Sequence, residues 1–266
     1  MSIDRAIEQQ IINFTRVMPA LPQTANGIMN ICNSRFVDAR HLYKLICVDP
    51  LLFCQTQALF TIYYPKLNTI YNSIAKIMIM LNVNTVKNHI MPFAEKTKDA
   101  LAAKSINKKT LEYQSCFWRH AVATGITARF IAKERGIDPA QFELYYAAGL
   151  VHDLGKYFQV EGTSHSELGG LVAKTAGLYE GLLDVILHHH DVAKSKGTNA
   201  DLVCTAALAD YFVNSSLSAQ QKTGSKATLG KEVWQRLSVS PEFLEKHKQM
   251  LVSEIKKCDA YIKVEN

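Results

Sequence analysis

Imidazole and carboxylate side chains are concentrated in the middle and later parts of the chain. Six of the nine histidines lie between residues 120 and 190. The possible metal ligands, in chain order, are His120, His152, Asp153, His165, His188, His189, His190 and Asp210. Imidazole nitrogen and carboxylate oxygen together suit Fe, Mn, Zn or Ni, whereas the common structural zinc sites use thiolates. These residue types therefore indicate a site for divalent cations.

The adjacent pair His152 and Asp153 favours a site with two cations. A carboxylate can bridge two ions through its two oxygens, and ions about 3.5 to 4 Å apart can activate water for attack on phosphorus. Lys156 would share a helical face with the pair if the helix continued that far, although Gly155 is a point at which the helix could break. Its ammonium could then hold a phosphate. Asp153 and Lys156 are accordingly the predicted catalytic residues.

Each candidate also has a simpler interpretation. A lone histidine on an apolar helix is usually a hydrogen-bonded core residue, which is our interpretation of His41, His89 and His247. The run from His188 to His190 could be a solvated helix end, and Asp210 taken alone could be a capping or buried carboxylate. Because all the candidates follow one another in a single helical region, a common metal site explains them better than coincidence does.

The elements that must position these ligands are helices, because alternating strand patterns and hairpin turns are nearly absent. The Asp49-Pro50 and Asp138-Pro139 pairs are typical helix starts, and Gly136 is a typical helix end. Apolar spacing predicts helices over residues 4–17, 23–33, 38–48, 50–61, 65–81, 83–100, 110–135, 139–154, 164–176, 179–190, 199–214 and 241–262. Since each ligand lies on its own helix or at a helix end, a helical bundle could direct all of them into one cavity.

Composition narrows the classes of function. Hydrophobic residues make up 48% of the 266 residues, enough for a sizeable core. Without an apolar run of roughly 18 residues or a secretory signal at the N-terminus, we expect a cytoplasmic protein with no membrane partner. The net charge of +6 is spread along the chain, so we expect no nucleic-acid partner. The six cysteines are scattered and are expected to be buried, reduced thiols.

Several segments resemble the HD superfamily of metal-dependent phosphohydrolases. VHDLGK (151–156) is similar to its hallmark, and WRHA (118–121), SHSELG (164–169), LHHHD (187–191) and LAD (208–210) resemble its other ligand segments. In the family an acidic residue follows the paired histidines. Asp191 takes that position if His189 and His190 are the pair, so His188 is the additional histidine. The resemblance implies the metal ligands His120, His152, Asp153, His165, His189, His190 and Asp210, with two divalent ions in an active site.

The N-terminal half is similar to the HDOD domain, the HD-related output domain. MPALP (18–22), Asp49-Pro50-Leu51 and the run from Ser73 to Leu81 carry this resemblance, and Asn82 stands where the family usually has glycine. It implies an all-α fold in which an N-terminal helical lobe packs on an HD-type helical core. The polar segment 104–109 marks the join, so we expect an N-terminal lobe over 1–103, a core over 104–214 and a C-terminal helical extension packed on the core over 215–266.

The resemblance leaves two functions open. The first is a bacterial signal-transduction protein that acts through a signalling protein partner or a small phosphorylated or nucleotide ligand. In that case the metal cavity would be structural or vestigial. The second is a metal-dependent phosphohydrolase or phosphodiesterase that cleaves a nucleotide or another phosphate ester. Either function is compatible with a homodimer.

Cyclic di-GMP is not the expected substrate. Relatives of the HD-GYP kind carry a Gly-Tyr-Pro segment shortly after the paired histidines, whereas residues 191–197 here read DVAKSKG. Since loops beside a bundle cavity shape access to it, metal-loaded protein should not hydrolyse cyclic di-GMP efficiently. Steady-state hydrolysis measures this, with Asp153→Ala as the control for contaminating activity. A robust rate that this substitution abolishes would contradict the prediction.

Overall fold

The computed structural model describes residues 9, 20–67, 73–103, 108–158, 162–217 and 229–262. These residues form α-helices, short 3-10 helices and loops, and no strand occurs among them. The prediction of an all-α fold is therefore confirmed. The predicted helix over residues 4–17 lies outside the described part of the chain apart from Gln9.

The chain divides into two units that are not continuous in sequence. Unit 1 comprises Met1–Trp118, Leu154–Tyr179 and Tyr261–Asn266, and unit 2 comprises Arg119–Asp153 and Glu180–Ala260. This division differs from the sequential segments that we expected, because residues 154–179 belong with the N-terminal helices. The sequential boundaries themselves stay a prediction.

Unit 1 is built mainly from the N-terminal helices. They are α1 (Pro22–Asn33), α2 (Ala39–Cys47), α3 (Pro50–Tyr63), α4 (Ile74–Leu81), α5 (Val83–Ala102), the first part of α6 (Lys108–Glu134) and α8 (His165–Thr175). As predicted, α3 begins at Pro50, with the carboxylate of Asp49 accepting the N–H groups of Leu51 and Leu52. The other carboxylate oxygen accepts the Leu21 N–H at 2.9 Å, so one buried side chain joins the MPALP segment to the start of α3.

Asn82 occupies a backbone conformation that favours glycine. It follows α4 with a φ of 69° and a ψ of 140°, a region that side chains rarely adopt. Its side-chain oxygen accepts the N–H of Asn84 at 2.9 Å in the first turn of α5. The local turn that the resemblance implies is thus present, and an asparagine side chain makes the capping contact that glycine could not.

Unit 2 contains the remaining helices. They are the second part of α6, α7 (Phe142–Val151), α9 (Glu180–His188), α10 (Ala200–Leu217), α11 (Lys231–Leu237) and α12 (Pro241–Ile262). The helix α11 was not predicted from the sequence. It has only seven residues, too few to show a helical period, and its buried residues are Val233 and Leu237. The predicted helix over 139–154 is shorter in the structure, because a 3-10 turn occupies Pro139–Gln141 and α7 ends at Val151.

A half-buried ionic network joins four helices of unit 2. The Arg135 guanidinium, just after α6, donates to both carboxylate oxygens of Asp201 in α10 at 2.8 and 3.0 Å. The hydroxyl of Tyr145 in α7 donates to the same carboxylate, and Arg135 Nε donates to the carbonyl of Leu237 at the end of α11. Bidentate pairs of this kind fix orientation as well as contributing stability. The network sets the relative placement of the helices that carry His120 and Asp210.

Glycines allow α6 and α7 to approach one another closely. A Cβ atom at Gly149 would lie 2.5 Å from the carbonyl carbon and oxygen of Thr124, and one at Gly125 would lie 2.9 Å from the carbonyl oxygen of Tyr146. Both distances are too short for real side chains. His120 lies one turn before Thr124, and His152 lies three residues after Gly149. The close crossing therefore brings these two imidazoles together.

Most described cysteines agree with the expected reduced state. Cys32, Cys47, Cys54, Cys116 and Cys204 form no disulfide. Cys54 and Cys204 are buried, and Cys32 and Cys47 are half-buried. The expectation of burial was wrong for Cys116, which is exposed on α6. Among the described helices, none alone has both the length and the apolar character of a membrane span. The pair Ala39–Cys47 and Pro50–Tyr63, bent by 112°, meets those criteria only when its members are taken together.

Substituting Gly149 with alanine should lower the free energy of unfolding by about 3 kcal/mol or more, because the methyl group would collide with backbone rather than with a side chain that can rotate. Gly162→Ala is the control, since that glycine has a positive φ but open space around it, and should cost only about 1 kcal/mol. Urea unfolding of the two variants measures the difference. Equal losses would contradict a close α6–α7 contact.

Candidate metal centre

Five of the predicted ligands converge within unit 2. His120 lies in α6, His152 and Asp153 directly follow α7, His189 directly follows α9, and Asp210 lies in α10. His120 Nε2 is 3.0 Å from Asp210 Oδ1, 3.2 Å from His152 Nε2 and 3.4 Å from Asp153 Oδ2. Two helices and the ends of two others thus bring three imidazoles and two carboxylates together.

Asp153 lies at the centre of this cluster and faces two sides with its two oxygens. Oδ2 is 3.2 Å from His152 Nε2 and 3.4 Å from His120 Nε2, whereas Oδ1 is 3.4 Å from His189 Nε2. His190, which is exposed, stacks near His189 with ring centroids 4.0 Å apart and offers a further ligand atom within 4.8 Å of those of Asp153 and His189. A carboxylate with histidines on both oxygens has the arrangement that bridging two cations requires.

Backbone carbonyls orient two of the imidazoles. His152 Nδ1 lies 2.7 Å from the carbonyl oxygen of Gly149, and His189 Nδ1 lies 3.0 Å from that of Val185. A ring that donates its Nδ1 proton to a carbonyl presents the lone pair of Nε2 on its other side. Metal-binding histidines are commonly held in this way. In both residues Nε2 is the atom that points into the cluster.

Asp210 has a partner on its own helix. The carboxamide of Asn214, one turn further along α10, donates to Asp210 Oδ1 at 2.8 Å. The hydrogen bond fixes the carboxylate that faces His120 and His152. Sequence reasoning did not select Asn214, although its i+4 spacing from Asp210 on a predicted helix was a usable signal.

Burial and charge shift the pKa values of the cluster in opposite directions. Burial alone would lower the pKa of His152, but the charges of Asp153 and Asp210 and their hydrogen bonds outweigh it and raise the pKa to about 10. Burial would raise the pKa of Asp153, yet the His152 charge and the surrounding imidazole donors hold it well below its ordinary value. The pKa of Asp210 is lowered in the same way, by hydrogen bonds from His120 and His152. The buried carboxylates therefore stay ionised and favour positive charge between them.

The donor set fits divalent cations. Imidazole nitrogen and carboxylate oxygen are borderline and hard ligands of the kind that Fe, Mn, Zn and Ni accept. The ligand atoms of His120, His152, Asp153 and Asp210 lie within 4.8 Å of one another, close enough to share one ion after small rearrangements. Because Asp153 also faces His189 and His190, the cluster offers positions for a second ion.

The remaining predicted site residues belong to unit 1. His165 is the first residue of α8, where Ser164 and Glu167 form a capping box, and it stays a predicted ligand. Gly155 is required there, because a Cβ atom would lie 1.7 Å from the His165 carbonyl oxygen. Lys156 lies in a 3-10 turn, Leu154–Tyr157, and its carbonyl accepts the Tyr113 hydroxyl at 3.0 Å. The helical face that we predicted for Lys156 is absent, since α7 ends at Val151.

His188 and His247 take the alternative roles that we considered, whereas the interpretation of His41 as a core residue was wrong. His188 lies 3.5 Å from Asp184 on the same helix. His247 Nδ1 donates to the Phe243 carbonyl at 2.8 Å, and the ring lies near that of Phe130, with centroids 5.1 Å apart. His41 is exposed on α2. These contacts belong to helix surfaces and helix packing rather than to a metal centre.

The HD class of metal-dependent domains is defined by a helical core. In this core, separate helices bring histidines and an adjacent His-Asp pair together. The HD domain model matches residues 117–215, and the HDOD domain model matches residues 18–161, which is more than half of the chain. The chain belongs to the HDOD domain family. Both resemblances that the sequence suggested are confirmed.

The chain is also similar to individual proteins. It is 38% identical to Ribonuclease Y of Thermus thermophilus over 90 residues, 33% of this chain and 15% of that protein. It is 34% identical to Ribonuclease Y of Deinococcus radiodurans over 96 residues, 35% of this chain and 16% of that protein. The chain thus matches only a small part of each curated relative.

The fold resembles that of the MmoQ response regulator of Methylococcus capsulatus, with a TM-score of 0.60 and 16% identity. The similarity covers 86% of this chain and 96% of that chain.

Metal affinity should rise with pH. Without metal, the folded-state pKa of His152 lies above its ordinary 6.5, so protonation stabilises the fold fully below that value, and this stabilisation is lost as pH rises toward 10. A cation at Nε2 must displace that proton, so the apparent affinity for Mn²⁺ should increase by up to about tenfold per unit between pH 6 and 8. Calorimetric titration in several buffers measures both the slope and the released proton.

His152→Gln removes the titrating imidazole and should reduce both the affinity and its slope. His41→Gln is the matched control, because His41 is exposed in unit 1, and should change neither. An affinity that is independent of pH in the unsubstituted protein would contradict displacement of the His152 proton.

Proposed function

We propose that this HDOD protein is a metal-dependent phosphodiesterase whose activity serves bacterial signal transduction. The observation that carries the proposal is the convergence of His120, His152, Asp153, His189 and Asp210 around one buried carboxylate. A set of ion ligands with ordered imidazoles and ionised carboxylates is costly to bury without a cation. Such a cluster is therefore better explained by a metal centre than by a role in packing.

Each residue of the proposed metal centre has a distinct role. Asp153, with a histidine near each oxygen, would help to hold two divalent ions, Fe, Mn, Zn or Ni. His120, His152 and Asp210 would hold one ion, and His189 and His190 the other, with His165 and Lys156 as further predicted participants. Bound cations would supply Lewis-acid chemistry, polarising a phosphoryl oxygen and lowering the pKa of water. The Gly149, Val185 and Asn214 contacts keep the ligand atoms aimed at the centre.

A phosphodiester is the proposed substrate class. Ribonuclease Y, by its name, cleaves RNA, and its similarity to this chain covers about a third of the chain. Attack of water on phosphorus suits phosphodiesters in nucleotides as well as in longer chains. We keep the expectation that the ligand is a small nucleotide rather than a nucleic acid, because the basic residues are not clustered.

A regulatory role through protein contacts is the second function, and an exposed groove in unit 1 favours it. The groove has a volume of about 620 Å³ and lies between α2 and α4. Met78 and Val83 contribute apolar surface, Ile79 is 83% exposed, and Arg40 and Lys44 line the same groove. This chemistry would suit an acidic amphipathic segment of a signalling protein. The groove lies in unit 1, so it is compatible with an active site in unit 2.

Replacing a proposed ligand should abolish hydrolysis without unfolding the protein. With Mn²⁺ and bis(p-nitrophenyl) phosphate as the probe, His189→Gln should lower kcat/KM by about 100-fold or more, because one ion loses an imidazole ligand. His188→Gln is the matched control, since the adjacent His188 pairs with Asp184 outside the cluster and should retain the rate. Circular dichroism checks that both variants keep their helical content.

Metal analysis of the same samples separates the two functions. About two bound equivalents with turnover would support the phosphodiesterase. Bound metal without hydrolysis of this diester or of linear dinucleotides would contradict it and leave the regulatory role. Equal rates for the two variants would show that His189 is not a ligand.

A further inference from the structure

Two neighbouring cavities in unit 2 share part of their walls. The first, of about 130 Å³, is lined by the metal-centre residues His189, His190 and Asp210 and reaches Val192 and Glu232. The second, of about 330 Å³, is lined by Val192 and Glu232 as well and extends to Lys196, Cys204 and Arg236. Val192 and Glu232 line both cavities, so the two cavities adjoin. We call the pair the cleft, with its metal end at His189, His190 and Asp210.

The two ends of the cleft differ in charge. Asp191 and Asp210 line the metal end, where cations would be held. Lys196 and Arg236 line the far end, and Glu232 lies on the shared wall between them. Burial raises the pKa of the Cys204 thiol to about 11, so this side chain adds no charge there. The far end therefore carries two cations against one carboxylate.

The loop that carries Lys196 is held in place by its neighbours. The buried Ser195 donates its hydroxyl proton to Asp184 Oδ2 in α9 at 2.5 Å, and its N–H donates to the Val192 carbonyl at 3.2 Å. Lys194, by contrast, pairs with Asp191 at 2.9 Å and is not part of the cavity wall. A fixed loop reduces the conformational entropy lost when Lys196 binds a ligand.

We infer that the far end of this cleft, lined by Lys196 and Arg236, binds a second phosphate group of a substrate whose phosphodiester lies at the metal end. The inference rests on the proposed function and narrows its substrate class to phosphodiesters that carry a further phosphate. Arginine can hold a phosphate through two parallel hydrogen bonds, and lysine adds a point charge. Glu232 opposes binding and limits the affinity for phosphate alone.

Binding of two matched dinucleotides tests the inference without depending on turnover. The probes are the linear adenosine dinucleotide with a 5′-phosphate, pApA, and the same dinucleotide without it, ApA. Titrated into full-length protein with Mn²⁺ at low temperature, pApA should bind at least about tenfold more tightly than ApA, the difference expected for a charge-assisted contact. Lys196→Ala and Arg236→Ala should each remove most of that preference and leave ApA binding unchanged.

Three further variants sharpen the result. Lys194→Ala should keep the preference, Lys196→Arg should keep it because the charge is retained, and Glu232→Gln should strengthen it. Lys196 and Arg236 are exposed, so their loss should not affect folding, which circular dichroism verifies. Longer 5′-phosphorylated oligoadenylates and adenosine tetraphosphate distinguish a nucleotide chain from a polyphosphate as the source of the second phosphate.

The possible outcomes separate the two proposals. Preference for pApA that both substitutions remove supports the phosphate site, even if no probe is hydrolysed and the proposed phosphodiesterase activity fails. Hydrolysis of diesters with equal affinity for pApA and ApA, or a preference that survives both substitutions, overturns the phosphate site and leaves the activity standing. Absence of binding by either dinucleotide also overturns the phosphate site.

Discussion

The metal centre depends on how closely two helices approach. At Gly149 and Gly125, α6 and α7 pack backbone against backbone, with no room for a Cβ atom. Helices separated by ordinary side chains have axes about 8 to 10 Å apart. The closer crossing allows His120 Nε2 and His152 Nε2 to reach 3.2 Å of each other. The carbonyl of Gly149 also orients the His152 ring, so one residue serves both the packing and the ligand geometry.

Electrostatics makes this arrangement a site for cations rather than a neutral core. Two buried carboxylates that stay ionised need positive charge beside them. In the metal-free protein the raised pKa of His152, about 10, places a proton where a metal ion would otherwise supply the charge. Ions and protons therefore compete for the same imidazoles. Asn214 and the backbone carbonyls hold the ligands in place whichever of the two is bound.

The segments of unit 1 that carry the resemblance to HDOD domains have structural explanations. Asp49 joins Leu21 and α1 to the start of α3 through four hydrogen bonds. It accepts the N–H groups of Leu21, Leu51 and Leu52, and the Thr24 hydroxyl at 2.7 Å. Asn82 adopts the glycine-like turn between α4 and α5. These motifs support packing rather than chemistry. The basic, apolar groove beside them is the part of unit 1 with the character of a binding surface.

The sequence by itself determined the helical class, most helix positions and the types of the metal ligands, because helical periods, caps and ligand chemistry are local properties. Asp49-Pro50 and Gly136 marked helix ends correctly, since capping depends on only a few neighbouring residues. The same reasoning missed α11, which is stabilised by burial of Val233 and Leu237 rather than by its own period. It also predicted that α7 would extend to residue 154, whereas α7 ends at Val151. Beyond that point Gly155 packs against the backbone of His165.

Only the tertiary structure decided which ligands meet, how they are oriented and what surrounds them. Sequence spacing could not show that Asp153 faces histidines with both oxygens, because those histidines come from helices more than thirty residues away. Nor could it show that carbonyls of Gly149 and Val185 orient the rings, or that α10 and α11 enclose a cleft ending at Lys196 and Arg236. Distances between side chains on different helices depend on the packing of the helices between them, and that packing is a property of the whole unit.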